Sequence, residues 1–279
     1  MKHHEREFFI STIRTGNVYI NDLIVKPQTV EQSLRASIIY INAYEEAKNE
    51  GVMTEDEMLK WMMSEGFWHK QNDIRIEKLQ KQADDLKVAL FQNFTDKKAI
   101  KNLRFALRET ELKLSNEYSI KNSFFTNTCE SFASLEKNNW LIENTTYLNE
   151  NLHSFDDDDD VFRVSSEVQK SILKESIIRE LARTEPWKSN WSIHKTIGTK
   201  LFINSDDQEL TTNQKSLVIW SKLYDNIYES IDCPQEEIIQ DDDCLDGWFI
   251  HQNRKREKEK KQKDIDEKLG SRVRGSQEV

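Results

Sequence analysis

The sequence contains few of the residues that interrupt regular secondary structure. Among its 279 residues are only seven glycines and three prolines, and neither type occurs anywhere from Phe67 to Glu185. Turns that need a positive φ or a fixed φ are therefore scarce in this part of the chain. We expect long helices to occupy most of it.

Cysteines are also few, and long apolar runs are missing. The three cysteines, Cys129, Cys233 and Cys244, are an odd number without Cys-x-x-Cys spacing, which indicates reduced thiols and disfavours a zinc site. The first residues, MKHHEREFF, are charged where a signal peptide becomes apolar. No run of about 18 apolar residues occurs, so the sequence predicts no transmembrane helix. We expect a cytosolic protein that does not enter the membrane.

Charge is abundant, whereas apolar residues are fewer than usual. Charged residues make up 32% and hydrophobic residues 37% of the chain, against about 25% and about 45–50% in typical domains. Seven Trp, seven Tyr and thirteen Phe are enough to anchor a core, which argues against a disordered chain. The net charge of −10 disfavours general binding to nucleic acid. This balance favours an elongated or partner-dependent helical protein over a compact enzyme.

Local patterns near the start of the chain predict a short β-hairpin followed by a capped helix. Apolar residues alternate around Asn21 and Asp22, which suit the turn of a hairpin. Thr29 and Gln32 then form a capping-box pattern at the start of a helix. The apolar residues at helical spacing in this helix are Leu34, Ile38, Ile41 and Ala43.

The clearest helical periodicity begins after residue 69. Apolar residues recur three and four positions apart, at Ile76, Leu79, Ala83, Leu86 and Leu90. A similar pattern follows the segment NFTDKK, in which Thr95 or Asp96 suits a helix cap. Residues 70–94 and 97–120 are therefore predicted to form an αα-hairpin with a coiled-coil-like seam.

Together these patterns predict a mainly α fold: a helical bundle with a long αα-hairpin, a short N-terminal β-hairpin and a charged C-terminal helix. The chain divides into five segments on this interpretation. They are a β-hairpin with helices (1–66), the αα-hairpin with aromatic helices (67–155), an acidic loop (156–160), a C-terminal helical region (161–240) and a charged C-terminal helix with a tail (241–279). The oligomeric state is left open.

Two runs of aspartate raise the question of a metal ion. The five carboxylates of Asp156–Asp160 lack the alternating ligands, central glycine and distal glutamate of a calcium loop, so we interpret this run as a solvated loop. Asp241–Asp243 lack the companion motifs of a two-metal site. Because acidic side chains stabilise the positive end of a helix dipole, we expect this triplet to cap the C-terminal helix. The sequence does not decide whether either run binds a cation.

Trp187 and Trp191 are the first candidate partner-binding residues. They lie four positions apart after Pro186, which suits the first turn of a helix, so both rings share one helical face. Two tryptophans on one face suit either the protein core or an anchor for another chain. A further candidate surface, again with burial in the core as the alternative, consists of Met58, Trp61, Met62, Met63 and Phe67.

Leu245, Trp248 and Phe249 are the second group of candidate partner-binding residues. Their spacing places them on one face of the C-terminal helix. We expect them to dock either on the body of the protein or on a partner, and burial of Trp248 should contribute about 2–3 kcal/mol. Gly247 costs the helix up to about 1 kcal/mol, which indicates close approach of a backbone or a helix start just beyond it.

No catalytic motif is complete in this sequence. The patterns of serine hydrolases, P-loop NTPases, zinc proteases and dinucleotide-binding folds are all missing. His194 and His251 have no serine, cysteine or carboxylate at motif spacing. We therefore expect a protein that is not an enzyme and that uses no cofactor and no metal ion.

The segment from Arg254 to Lys263 has seven basic and two acidic residues. It could contact phosphate or an acidic partner. However, Glu257 and Glu259 interrupt its positive field, and a solvated helix needs no partner. A solvated helix tail is the simpler interpretation.

Six blocks of sequence, which together cover most of the chain, form a familiar combination. They are FISTIRTGNVYI, PQTVEQSLRASIIYINAYEEA, NTCESFASLEKNNWLIENTTYL, IIRELARTEPWKSNW, LVIWSKLYDNIYES and DDDCLDGWFIHQNRKRE. The combination resembles a family of tailed-bacteriophage proteins of the structural or tail module. The resemblance implies a tail assembly chaperone or a minor virion component, and it assigns no catalytic residue. The implied partner is a phage structural protein of the tail or tape-measure type, in the host cytoplasm or the virion.

An alternative function uses the basic C-terminal helix. In this alternative the protein is a phage factor associated with transcription or nucleic acid, and the basic segment contacts an RNA polymerase or DNA. Phosphate contacts weaken steeply as salt rises, whereas apolar binding of a structural protein does not. Salt dependence therefore separates the two functions.

Overall fold

The computed structural model describes residues 1–275, with side chains up to Lys263. Within this range the chain forms twelve α-helices, one short 3₁₀ turn and a four-stranded antiparallel sheet. The predicted mainly α fold with a short N-terminal β-hairpin is confirmed. The end of the predicted C-terminal tail, residues 276–279, lies outside the described residues.

The helices and strands have the following bounds in chain order. The helices are α1 (His3–Thr15), α2 (Val30–Asn49), α3 (Glu55–Ser64), α4 (Lys70–Gln92), α5 (Lys97–Ser123), α6 (Cys129–Thr145), α7 (Asp158–Lys170), α8 (Glu175–Arg183), α9 (Trp187–Ile197), α10 (Thr212–Tyr228), α11 (Glu236–Ile239) and α12 (Asp242–Gly275). The strands are β1 (Val18–Ile20), β2 (Leu23–Val25), β3 (Thr146–Leu148) and β4 (Asn151–Leu152).

The chain divides into two compact units, and each is built from two separate stretches of sequence. Unit 1 combines Met1–Phe67 with Asn122–Cys233. Unit 2 combines Trp68–Lys121 with the chain from Pro234 onward. Unit 2 therefore interrupts unit 1 in the sequence, so the units do not follow the linear order of the five predicted segments.

The sheet of unit 1 joins the predicted hairpin to a distant part of the sequence. Its strands pair in the order β1-β2-β3-β4, and each neighbouring pair is antiparallel. One face of the sheet contributes Val25 to a buried cluster with Ile142 of α6 and with Val161 and Val164 of α7. Because side chains alternate along a strand, the next residue along, Ile24, belongs to the opposite face of the sheet.

The helices α2 and α6 of unit 1 run antiparallel and in close contact. The side-chain amide of Gln32, at the start of α2, donates to the backbone carbonyl oxygen of Asn144, near the end of α6, at 2.7 Å. Small side chains allow the close approach, since Ala36 and Ala43 of α2 and Ala133 of α6 are all buried. Among the apolar residues singled out in this helix by their spacing, only Ala43 is buried, whereas the exposed ones are Leu34, Ile38 and Ile41.

The aspartate run 156–160 is not the acidic loop that the sequence suggested. Asp157 is the cap of α7, and its carboxylate accepts the backbone N–H of Asp160 at 2.9 Å. Asp158–Asp160 form the first helical turn. Negative side chains are stabilised at this end of a helix dipole, and Arg163 lies 2.8 Å from the carboxylate of Asp160. These interactions outweigh the mutual repulsion on which the loop prediction rested.

In unit 2, α4 and α5 run antiparallel and are joined by residues 93–96, as the sequence predicted. However, α4 packs closely against α12 and not along the predicted coiled-coil-like seam with α5. Arg75 of α4 and Glu117 of α5 form an ion pair at 2.8 Å. The carboxylate of Asp96 accepts two backbone N–H groups from the first turn of α5, at 2.9 and 3.0 Å. The predicted cap at Asp96 is therefore confirmed.

The start of α12 packs against α4 in unit 2. A Cβ atom at Gly247 would lie only 1.9 Å from the carbonyl oxygen of Lys87, which confirms the predicted close approach of a backbone. Asp241 caps α12 as predicted, because its carboxylate accepts the backbone N–H of Cys244 at 3.2 Å. Arg108 of α5 contacts Asp243 at 3.0 Å, so the carboxylates of this segment also contribute ion pairs.

Candidate functional site

Trp187 and Trp191 are buried on the side of α9 that contacts α10 in unit 1. Their indole N–H groups donate to Ser221 Oγ at 2.7 Å and to Asp225 Oδ2 at 2.8 Å. The Trp187 ring also stacks with Phe202, with the ring centroids 5.9 Å apart. Both residues therefore lie in the core in this structure, which is one of the two predicted alternatives. Their role in binding a partner stays a prediction, and it would require these rings to be uncovered.

Leu245, Trp248 and Phe249 lie near the start of α12 in unit 2. Leu245 and Trp248 are buried, and Phe249 is half-buried. The centroids of the Trp248 and Phe249 rings are 5.1 Å apart. In this structure these residues dock within the protein, which is one of the two predicted alternatives. Capture of a partner by these residues stays a prediction.

An exposed aromatic patch in unit 1 includes two residues of the further candidate surface. Trp61 and Phe67 are exposed, with ring centroids 5.4 Å apart, and Phe67 also contacts Phe124 at 5.7 Å. Met62 is fully buried, and the other two methionines of this surface are half-buried. The accessible part of the surface is therefore aromatic, and the methionines contribute less than the sequence suggested.

The described residues offer little for metal or thiol chemistry. No group of three or more His, Cys, Asp or Glu residues within them is placed to hold a metal ion. Burial raises the pKa of the Cys244 thiol to about 12, and the nearby Asp241 carboxylate adds to this effect. Burial also raises the pKa of the Cys129 thiol. Because the thiolate is the reactive form, both thiols are poor nucleophiles at neutral pH.

An open apolar cleft in unit 1 is the best-formed candidate binding site. Its volume is about 730 Å³, which lies within the range of about 300–1,000 Å³ for ligand sites. Its walls come from α1, β1, the end of β2, the last turn of α7 with the loop that follows it, and the first turn of α10. We call it the α1–β1 cleft.

Large apolar side chains line this cleft at two depths. Ile13 and Val25 are buried and form its inner surface. Phe8 and Tyr19 line it from opposite elements while remaining 67% and 61% exposed, and Ile172 is also exposed. A cluster of large exposed apolar side chains often marks a binding surface, whereas single scattered ones usually do not.

Two local features hold the walls of the cleft in position. Gly16 turns the chain from α1 into β1 with a φ of 68°, and a Cβ atom there would lie 2.8 Å from Pro27 Cγ. Asn213, in the first turn of α10, holds the loop after α7. Its Oδ1 accepts the N–H of Leu173 at 3.0 Å, and its Nδ2 donates to the carbonyl oxygen of Ser171 at 3.1 Å. The cleft is therefore largely preformed.

The two lysines that line the cleft direct their charged groups elsewhere. Lys26 and Lys170 are the charged residues among its described lining. Lys170 Nζ pairs with Glu167 at 2.6 Å. Lys26 Nζ lies 4.0 Å from the centroid of the Tyr147 ring of β3, on the face of the sheet opposite Val25 and on the far side of β2 from the β1 edge.

The edge of the sheet that is formed by β1 borders the cleft. β1 is the outermost strand, and it pairs with β2 in the register Tyr19 with Ile24. The N–H of Lys26 donates to Thr145 at 2.9 Å, so Lys26 and Ile24 point their backbone groups towards β3. Tyr19, opposite Ile24, consequently directs its N–H and C=O away from β2. These two groups face the open edge.

Sequence reasoning missed the cleft because its lining comes from three separate stretches, 8–26, 168–173 and 211–213. A weak signal was present, since Phe8 and Phe9 are consecutive in a helix that buries only one face.

No helix within residues 1–275 combines the length and apolar character of a membrane span. Comparison of the chain with protein-family models, curated proteins and solved structures gives no match.

Proposed function

We propose that this chain is a non-enzymatic binding protein of a tailed bacteriophage, acting in tail assembly or as a minor virion component. The observation that supports a binding role is the α1–β1 cleft, an open, preformed apolar site on a highly charged chain. The phage context rests on the resemblance of the six sequence blocks. The partner in this proposal is a structural protein of the tail or tape-measure type.

The proposed mode of action follows from the lining of the cleft. In this proposal the partner has an apolar segment that must be kept from aggregating until it is assembled. The cleft would cover one such segment with side chains including Phe8, Tyr19 and Ile172, because apolar surface removed from water stabilises a complex by about 25 cal/mol per Å². The charged remainder of the surface would keep the complex from associating further.

A pull-down from infected cells tests this proposal. Tagged wild-type chain and its Ile172→Asp variant are recovered during infection, and the bound proteins are identified by mass spectrometry. Ile172 is exposed at the cleft, so the charge should block binding without unfolding unit 1. We expect wild type to recover a tail or tape-measure protein, and the variant to recover at least tenfold less.

The matched control is Ile197→Asp, because Ile197 is also an exposed isoleucine but is not among the residues that line the cleft. Its recovery should equal that of wild type. If Ile172→Asp retains the phage protein, the cleft is not the binding site. Recovery of RNA polymerase without virion proteins, in a form that is lost as salt rises, would instead support the transcription alternative through Arg254–Lys263.

A further inference from the structure

We infer that the α1–β1 cleft takes an extended, apolar peptide segment, and that this segment pairs with β1 as a fifth strand of the sheet. The inference rests on the proposed function for the role of the cleft as a binding site. It adds the conformation and the apolar character of the occupant.

The backbone of Tyr19 indicates the conformation of the occupant. Its N–H and C=O face the open edge of the sheet, beside the apolar cleft. A helical occupant satisfies its own backbone and would cover these two groups without pairing them. An extended occupant can exchange two hydrogen bonds with Tyr19, in the way that neighbouring strands pair. Burial of polar backbone groups is favourable only when they are paired.

The side chains around this edge indicate the sequence pattern of the occupant. Alternate side chains of a strand point to opposite faces. On the inner side of β1, an added strand would meet the apolar residues of the cleft, including Ile13, Val168 and Ile172. On the other face, Tyr19 stands in register with Ile24, which in turn pairs with Tyr147 of β3. Both faces of the added strand would therefore contact apolar side chains at this position.

The length of the strand limits the size of the occupant. β1 has three residues, and a strand rises about 3.3 Å per residue. The edge therefore spans about 10 Å, which matches about three central residues of an extended peptide. A volume of about 730 Å³ is large enough for two or three of their side chains.

Selection from a random ten-residue peptide library displayed on particles, with the purified full chain as bait, tests the inference. We expect enriched peptides with a short continuous run of large apolar residues, because both faces of the added strand contact apolar side chains. Enrichment of peptides with a helical repeat of apolar residues would overturn the strand mode but leave the cleft as a site. Absence of enrichment over bait-free beads would overturn the inference without bearing on recovery of phage proteins in infected cells.

A matched pair of variants then locates the bound peptide, measured by fluorescence polarisation with the best selected peptide. Tyr19→Pro removes the outward N–H, whereas Tyr19→Thr removes the ring but keeps that N–H. We expect the Pro variant to bind at least tenfold more weakly than the Thr variant.

A change in the peptide keeps the test valid if Tyr19→Pro does not fold. The selected peptide is synthesised with each backbone nitrogen methylated in turn, which removes one N–H without altering the side chains. Strand pairing predicts that methylation at one central position lowers affinity at least tenfold and that the adjacent positions tolerate it. Equal tolerance at every position would overturn the inference.

Discussion

At the scale of single residues, Gly247 determines how closely α12 can approach α4. The carbonyl oxygen of Lys87 lies 1.9 Å from the place that a Cβ atom would occupy, and Phe91 Cβ lies 3.0 Å from it. The Lys87 oxygen belongs to a helix backbone, so it cannot move aside as a flexible side chain would. The absence of a side chain at Gly247 is therefore a requirement of the packing.

We expect Gly247→Ala to destabilise unit 2. Alanine favours a helix over glycine by up to about 1 kcal/mol, but the overlap with the Lys87 oxygen forces the helices apart, and such overpacking costs about 1–3 kcal/mol or more. The free energy of unfolding, measured with urea, should fall by at least about 1 kcal/mol. Asn253→Ala, at an exposed position of the same helix, should change it by less than about 0.5 kcal/mol. A Gly247→Ala protein as stable as wild type would contradict the close approach.

Residues differ in how clearly the sequence shows their role. Gly247 could be identified because glycine is costly in a helix, so its presence there signals a constraint. Ala36 and Ala43 could not, since alanine is common in any helix and gives no sign of close packing. Trp187 and Trp248 remained ambiguous, because a core residue and an interface anchor have the same chemistry. Only the three-dimensional contacts distinguish them.

At the scale of elements, α2 has two apolar faces with different roles. The face with Ala36 and Ala43 packs on α6, and its small side chains permit close contact. The other apolar residues are each more than half exposed and lie three or four positions apart, at Val30, Leu34, Ile38 and Ile41. The spacing of these larger residues is regular, so the sequence pattern marked the exposed stripe more strongly than the buried face.

This assignment of faces predicts opposite effects for two kinds of substitution. Leu34→Lys combined with Ile38→Lys should leave the melting temperature nearly unchanged, because both side chains are exposed. Ala43→Leu should lower the free energy of unfolding by about 1–3 kcal/mol, because it inserts volume between α2 and α6. Thermal unfolding followed by circular dichroism measures both. If the double lysine variant unfolds and Ala43→Leu is as stable as wild type, the assignment of the two faces is reversed.

Elements whose information is local could be predicted well. The hairpin around Asn21 and the caps at Thr29 and Asp96 each depend on a few neighbouring residues. The prediction of a loop at Asp156–Asp160 was wrong because it considered the repulsion between the carboxylates but not the helix cap that Asp157 forms. The α1–β1 cleft could not be predicted, since residues from three separate stretches meet there.

At the scale of the whole molecule, unit 2 depends on a segment that is remote in sequence. Leu245 and Trp248 of α12 are buried there, and α12 packs extensively against α4. A linear division of the sequence cannot show this dependence, because residues 122–233 belong to unit 1.

Truncation tests the dependence. A chain that ends after Gln240 lacks α12, so the backbone amides of α4 and α5 should lose their protection against hydrogen exchange. A chain that ends after Lys263 keeps the buried Leu245 and Trp248 of α12, and its protection should match that of the full chain. Retained protection of α4 in the shorter chain would contradict the contribution of α12, whereas loss in the longer chain would assign a structural role to residues beyond Lys263.

The interrupted arrangement of the units also sets the order in which they can be completed during synthesis. The ribosome releases α4 and α5 well before Leu245 and Trp248, and at about 5–20 residues per second the interval is on the order of ten seconds. During that time Leu90 and Leu107, which end up fully buried, lack the helix that completes their unit. The last stretch of unit 1, up to Cys233, emerges in the same interval. Nascent α4 and α5 are therefore exposed to chaperones, or to a second nascent chain, throughout this interval.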